Sequence, residues 1–187
     1  MGMLVEGKWT DRWYDTESTG GRFERKDSSF RNWIKADGST DFEPESGRYH
    51  LYVSLACPWA HRTVIYRRLK GLEEHITISV VNPIMLENGW TFEEGEGVIP
   101  DTVNNAEFLH QIYTAADPGY TGRVTVPVLW DRSRRTIVNN ESSEIIRMLD
   151  EEFGQLTGHG PSFRPLDLEK EIDSLNDRIY TGFNNGV

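Results

Sequence analysis

Hydrophobic positions along the chain fall into short runs whose period switches between two and about 3.6. Tyr49-His50-Leu51-Tyr52-Val53 is a compact run of strand formers, and residues 48–53 are predicted as a strand. Residues 58–70 place Val64, Ile65 and Leu69 on one stripe, which predicts a helix with those three facing inward and Gly71 as its stop. Between His75 and Val81 the apolar residues Ile76, Ile78 and Val80 alternate with polar ones, the mark of a half-buried strand. Strand, helix and strand at this pitch make a parallel unit with a right-handed crossover. Residues 82–103 mix glycines, acids, Pro83, Trp90 and Pro100 and read as a long loop, a length that usually signals function. Residues 104–116 predict a second helix behind a polar N-cap. Residues 124–130 read as a strand interrupted by Pro127, Asp131 to Arg134 as a charged turn, and residues 135–138 as a returning strand. Residues 140–149 predict a helix opened by a polar cap, with Ile145, Ile146 and Leu149 inward. The order is β-α-β-α-β-β-α, an α/β fold over residues 48–153. Residues 154–165 then read as a linker, and residues 166–187 begin a further helix marked by Leu168, Ile172, Leu175 and Ile179.

Residues 1–47 are polar yet rich in rings: Trp9, Trp13, Tyr14, Phe23, Phe30, Trp33 and Phe42. Disordered tails are normally poor in aromatics. An irregular arm whose rings pack on the domain or on a partner subunit is expected, with a flexible leader as the alternative.

Composition narrows the function. A net charge of −10 argues against nucleic acid, which needs a basic footprint, and against docking on anionic membranes. No apolar run approaches the roughly 20 residues of a membrane span, and the opening residues lack a signal-peptide core. One cysteine excludes an internal disulfide framework, so a reducing compartment, the cytoplasm, is expected. The five histidines show no metal-ligand spacing, and no metal is expected. Neither a glycine-rich phosphate loop nor a Gly-x-Ser-x-Gly elbow is present.

That single cysteine carries the chemistry. Cys57 lies in Leu55-Ala56-Cys57-Pro58-Trp59-Ala60-His61-Arg62, on the turn from strand to helix. Unpaired N–H groups and the positive end of the macrodipole stabilise a thiolate at a helix N-terminus. Pro58 suits the first helical turn, and Arg62 adds positive charge nearby. Ala60 stands where a dithiol enzyme has its second cysteine, so any thiol chemistry needs an external thiol. The alternative is a small buried hydrophobe.

Three further features converge on Cys57. A cis Val126–Pro127 bond would reconcile a proline with a strand and free the Val126 backbone for a ligand; an edge strand with a trans proline is the alternative. Glu141 and Ser142 open a helix, where a hydroxyl and free N–H groups can hold a carboxylate while Glu141 holds an ammonium. Together they suit an α-amino-acid head group, such as the γ-glutamyl end of glutathione; plain N-capping is the alternative. Trp90 offers a flat indole to cover a peptide-like cofactor, or else plugs the loop.

Cys57-Pro58-Trp59-Ala60-His61-Arg62, Asn88-Gly89-Trp90-Thr91-Phe92, Val124-Thr125-Val126-Pro127-Val128-Leu129-Trp130-Asp131, Asn140-Glu141-Ser142-Ser143-Glu144-Ile145-Ile146 and Asn184-Asn185-Gly186-Val187 occur together. In these motifs, from about Trp9 to the last residue, the chain resembles the glutathionyl-hydroquinone reductases, or Xi-class glutathione transferases. The resemblance implies a thioredoxin-like domain (48–153), the linker (154–165) and the first helix (166–187) of an all-α domain that is much longer in that family. It also implies a homodimer. Cys57 then looks like the catalytic thiol. Trp90, the Val126 backbone, Pro127 as a cis proline, Glu141 and Ser142 look like the site for glutathione, the co-substrate, with an aromatic quinone-derived molecule as the second substrate. Such enzymes are also similar to dehydroascorbate reductases and thioltransferases. A glutaredoxin-like thioltransferase and an inert glutathione-binding module are the rival readings.

Overall fold

A computed structural model describes residues 2–11, 28–158 and 160–184. Its elements run β1 (Met3–Val5), β2 (Lys8–Thr10), β3 (Tyr49–Val53), α1 (Pro58–Leu69), β4 (Ile76–Val80), α2 (Leu109–Ala116), β5 (Gly122–Arg123), β6 (Val128–Asp131), β7 (Thr136–Asn139), α3 (Ser142–Glu151), α4 (Gly154–Thr157) and α5 (Glu169–Ile179), with a π-helical turn at Tyr180–Asn184. A four-stranded sheet has the order β4-β3-β6-β7. β3 is buried along its whole length. It pairs parallel with β4, Tyr49 opposite Ile76 through Val53 opposite Val80, across the α1 crossover. On its other side it pairs antiparallel with β6, Tyr52 opposite Val128. β7 returns antiparallel to β6. The C-terminal ends of β3, β4 and β7 and the N-terminal end of β6 therefore share one edge of the sheet.

A fully buried strand must satisfy its polar groups internally. His50 Nδ1 lies 2.6 Å from Thr77 Oγ1 and Nε2 lies 2.9 Å from Ser79 Oγ. Ser79 donates its own proton to the Pro100 carbonyl, so Nε2 is the donor in the bond to Ser79. Burial pushes the His50 pKa down from 6.5 to about 4. Lys70 and Asp150 form a buried pair between α1 and α3, Nζ to Oδ1 3.0 Å.

The α1 stripe is not the one hydropathy selects. Ile65 and Leu69 are 44% and 57% exposed, while Ala60 and Thr63 are buried. The packed positions are 60, 63, 64 and 67, one helical face. Thr63 Oγ1 donates to the Ala60 carbonyl (2.6 Å) and Arg67 Nε to the Ile76 carbonyl (2.6 Å), so polar residues face inward without an unmet bond. Gly71 does stop the helix: at φ +65° it donates to the Arg68 carbonyl, and Leu72 donates to that of Arg67.

α2 begins at Leu109 rather than 104. Asp101 accepts from the N–H groups of Val103, Asn104 and Ala106 and winds the chain into a turn. Asn105 takes φ +55°. The Gln111 side chain caps Glu107 and Phe108 at 2.8 and 2.9 Å, and only then does the helix start. β6 likewise starts at Val128, behind Pro127, not at 124. In α3 Ile145 and Leu149 are buried as expected, but Met148 takes the inward place expected of Ile146, which is half-buried. The expected linker holds α4, and its residues 161–163 are tied down: Lys70 donates to the Pro161 carbonyl and Phe163 N to Asp150. α5 buries none of its residues; Leu168, Leu175 and Ile179 stay about half exposed.

The amino-terminal arm is more regular than expected. β1 and β2 form a hairpin, and β1 also pairs with β5 in a second small sheet. Residues 30–32 bond to β7 and its exit, Asn32 N to the Val138 carbonyl and Asn140 N to the Phe30 carbonyl. Phe42 is buried, and Trp9, Phe30 and Trp33 pack against the core; Trp13, Tyr14 and Phe23 fall outside the described residues.

Two measurements check these contacts. Below pH 6.5 the unfolded chain protonates His50 while the folded chain resists down to about 4. Stability is thus lost as pH falls through that window, by about 2 kcal/mol at pH 5. Urea midpoints at pH 7 and pH 5 are expected to fall further for the wild type than for His50→Gln. Asp150→Ala strands Lys70 in the interior and is expected to cost about 3–5 kcal/mol in the same assay.

Candidate active site

The shared edge of the sheet gathers most of the chemistry-bearing residues. Cys57 is the N-cap of α1, in extended conformation, with Pro58 at the first helical position. Ser54 shapes the preceding turn: its carbonyl accepts from Cys57 N (3.2 Å) and its hydroxyl from Ala56 N (3.2 Å). The half-buried thiol faces the Val126 carbonyl, Sγ to O 3.7 Å. The Val126–Pro127 bond is cis, as the family resemblance implied, and not the trans alternative. Tyr113, on α2, holds this turn from behind. Its hydroxyl donates to the Thr125 carbonyl (2.9 Å) and accepts from Thr125 N (3.2 Å) and Asn140 Nδ2 (3.1 Å). Burial pushes the phenol up to about 12, so it stays protonated.

On the other flank α3 opens beside α1. Glu141 is its N-cap, accepting from Ser143 N (3.1 Å) and from the hydroxyls of Ser143 (3.0 Å) and Ser28 (3.1 Å). Ser142 is buried, and its hydroxyl accepts from Arg62 Nη2 (2.7 Å) and Nε (3.1 Å). The same guanidinium stands 3.8 Å from the Glu141 carboxylate and 5.4 Å from the Trp59 ring centroid. Arg62 was expected beside the thiol; it joins the Glu141–Ser142 cluster instead, because the packing of α1 against α3 brings two helix starts side by side. With both nitrogens donating to Ser142 Oγ, the hydroxyl keeps its own proton to give to an acceptor. This cluster offers a carboxylate and a hydroxyl from the start of α3 and a cation from α1, a set that can hold a zwitterion.

Trp90 is positioned differently. Its loop leaves the same edge through β4, and its carbonyl accepts from Leu109 N (2.9 Å) at the start of α2. The half-buried indole packs against the core and makes no hydrogen bond with Cys57 or the Glu141 cluster. An open groove of about 770 Å³ runs along this loop, lined among others by Glu87, Thr91, Phe92, Asp101 and Phe108, and none of Cys57, Val126, Glu141 or Ser142 borders it. Sequence reasoning missed Tyr113 and Asn140. Their signal was faint: a tyrosine on the buried face of a helix and an asparagine before a cap. No group of three metal-capable side chains occurs among the described residues, and no helix there is long and apolar enough to cross a membrane.

Residues 56–152 match the model of the glutathione S-transferase N-terminal domain. The chain belongs to the glutathione S-transferase family. It is 57% identical to glutathionyl-hydroquinone reductase YqjG of Escherichia coli, an alignment that spans all of this chain and 59% of that protein. Among solved structures it is similar to a Xi-class glutathione transferase from Natrialba magadii, with 46% identity and a TM-score of 0.88 over all of this chain and 56% of that one. The glutathione-bound structure of YqjG aligns with a TM-score of 0.83 and 50% identity, over 99% of this chain and 56% of that one. The chain thus spans a little over half the length of these transferases. The matched domain starts one residue before Cys57 and ends one residue after α3, so the thiol, the cis-proline turn and the Glu141–Ser142 start all lie within it.

The cap is testable apart from catalysis. Glu141→Ala is expected to lower stability by about 1 kcal/mol in urea unfolding, and Glu141→Ser, which restores a capping oxygen, to recover most of it.

Proposed function

We propose that this chain is the glutathione-binding and thiol-bearing part of a glutathione-dependent reductase that removes glutathione from glutathionyl-hydroquinones. The observation that carries this reading is the placement of Cys57 at the start of α1, opposite the Val126 carbonyl and beside the paired start of α3. The name of its Escherichia coli relative and that relative's glutathione-bound structure support it. On this reading residues 48–153 form the thioredoxin-like domain and residues 166–187 start a helical one.

The chemistry follows from one thiol. Glutathione lies with its γ-glutamyl end on Glu141 and Ser142, its backbone against Val126 and Pro127, and Trp90 beside it. The Cys57 thiolate attacks the glutathione sulfur of the conjugate. A sulfur–sulfur bond forms, the aryl carbon–sulfur bond breaks, and its electron pair takes up a proton on the ring to give the hydroquinone. A second glutathione thiolate attacks the Cys57–glutathione disulfide, releasing glutathione disulfide and restoring Cys57. The substrate carbon is reduced and two glutathione sulfurs are oxidised, so the sum balances. Ala60 leaves no internal thiol to resolve the intermediate, and the second glutathione is obligatory.

Intact mass after incubation with a glutathionylated hydroquinone checks this. The wild type is expected to gain one glutathione, lost again on adding free glutathione, while Cys57→Ser gains none. An adduct on Cys57→Ser, or none on the wild type, overturns the mechanism for this chain. Adduct formation from glutathione disulfide alone, with none from the aryl conjugate, would favour the thioltransferase reading.

A further inference from the structure

The β1–β2 hairpin lies outside the matched domain, yet it touches two of the segments that bear the proposed glutathione contacts. One side is docked by backbone. β1 pairs with β5, Met3 opposite Arg123 and Leu4 opposite Gly122, directly ahead of the 124–127 turn. Glu6 N donates to Thr121 Oγ1 (2.8 Å) and Gly7 N to the Tyr120 carbonyl (3.0 Å). Gly7 takes φ +75°, and a Cβ there would lie 1.9 Å from the Pro118 carbonyl oxygen, so this approach is close and fixed.

The other side ends in Trp9, which meets the Trp90 loop. Its indole Nε1 donates to the Glu87 carbonyl at 2.8 Å. Its ring stacks on His110 of α2, centroids 4.9 Å apart and 16° from parallel, and Phe108 also stacks on that imidazole. Gly89 closes the turn, Gly89 N to the Leu86 carbonyl 3.0 Å, at φ +68°. A Cβ on Gly89 would fall 2.7 Å from the Trp9 ring. The turn therefore lies flat on the indole, held by one hydrogen bond and by contact. Trp90 is the next residue, with its carbonyl fixed to Leu109 N.

We infer that Trp9 is a positioning residue for the glutathione site: it clamps the 86–89 turn against α2 and so sets the orientation of Trp90. This rests on the reading of Trp90 as a glutathione contact. Trp9 itself touches neither Cys57 nor the Glu141 cluster. Its effect is confined to affinity for the thiol peptide and leaves the reactivity of Cys57 alone.

The test is a double-mutant cycle on the chain, read as the glutathione dissociation constant by calorimetry, with the rate of Cys57 alkylation by iodoacetamide measured alongside. Trp9→Phe keeps the stack and loses the donor, and is expected to weaken binding about three- to tenfold, the range of one hydrogen bond. Trp9→Ala is expected to weaken it more than tenfold, with alkylation unchanged in both. Trp90→Ala is expected to weaken binding, and adding either Trp9 variant to it to cause little further loss, because the clamp then has nothing to orient. If Trp9→Ala fails to fold, the cycle is run with Trp9→Phe. Wild-type affinity in the Trp9 variants, or losses that add fully to that of Trp90→Ala, overturns the clamp and leaves the reading of Trp90 intact. Wild-type affinity in Trp90→Ala, or no glutathione binding by the wild type, overturns that reading and the clamp with it.

Discussion

The register between β3 and β6 is the constraint on which the rest depends. β3 is paired on both sides and buried on both faces, so it cannot slip without stranding polar groups in the interior. His50 has partners only where Thr77 and Ser79 stand, and Tyr52 places its hydroxyl 3.0 Å from Asp101. Tyr49 donates to the Glu43 carbonyl at 2.7 Å. With Tyr52 set opposite Val128, the chain leaving β3 and the chain entering β6 meet across one strand spacing. That is why a thiol at residue 57 and a carbonyl at residue 126 face each other.

Buried charge reinforces the frame at its other margins. Arg48 donates to Asp131 through Nε (3.0 Å) and Nη2 (2.7 Å), and Asp131 also accepts from Ser133 N and Arg134 N in the turn between β6 and β7. The Lys70–Asp150 pair bolts α1 to α3 and holds the segment after α4 against both. Such pairs add little net stability over apolar packing, but a change to one partner leaves the other without compensation. Among the described residues Trp130 Nε1 is the only buried side-chain nitrogen or oxygen left without a bond.

Much of this was legible in the sequence because the informative residues act locally. Strand composition located β3 and β4, Gly71 ended α1, and a proline inside an apolar run left a cis bond and an edge strand open until the family motif decided between them. The motif around Cys57 and the Glu141-Ser142 pair carried the family. What stayed hidden was nonlocal. The inward face of α1 is the one on which Arg67 reaches the Ile76 carbonyl, with the Thr63 hydroxyl satisfied within the helix, whereas hydropathy selected Ile65 and Leu69. The start of α2 is set by Asp101 and Gln111 closing backbone N–H groups, a competition that a polar N-cap at 104 does not reveal. Arg62 joins Ser142 from 80 residues away, and the role of Trp9 depends on a turn 78 residues further on.

The separation of the site residues has a thermodynamic consequence. Arg62 of α1 and Ser142 of α3 meet only when the two helices are packed, so the unfolded chain offers a ligand of these helix starts no comparable site. Any molecule that bridges the two helix starts therefore adds to the folding equilibrium by mass action, about 2.7 kcal/mol at a hundredfold excess over its dissociation constant. The abundance of such a ligand and the survival of the fold become linked variables: depletion of the ligand lowers occupancy and, in the same step, raises the fraction of chains open to proteolysis.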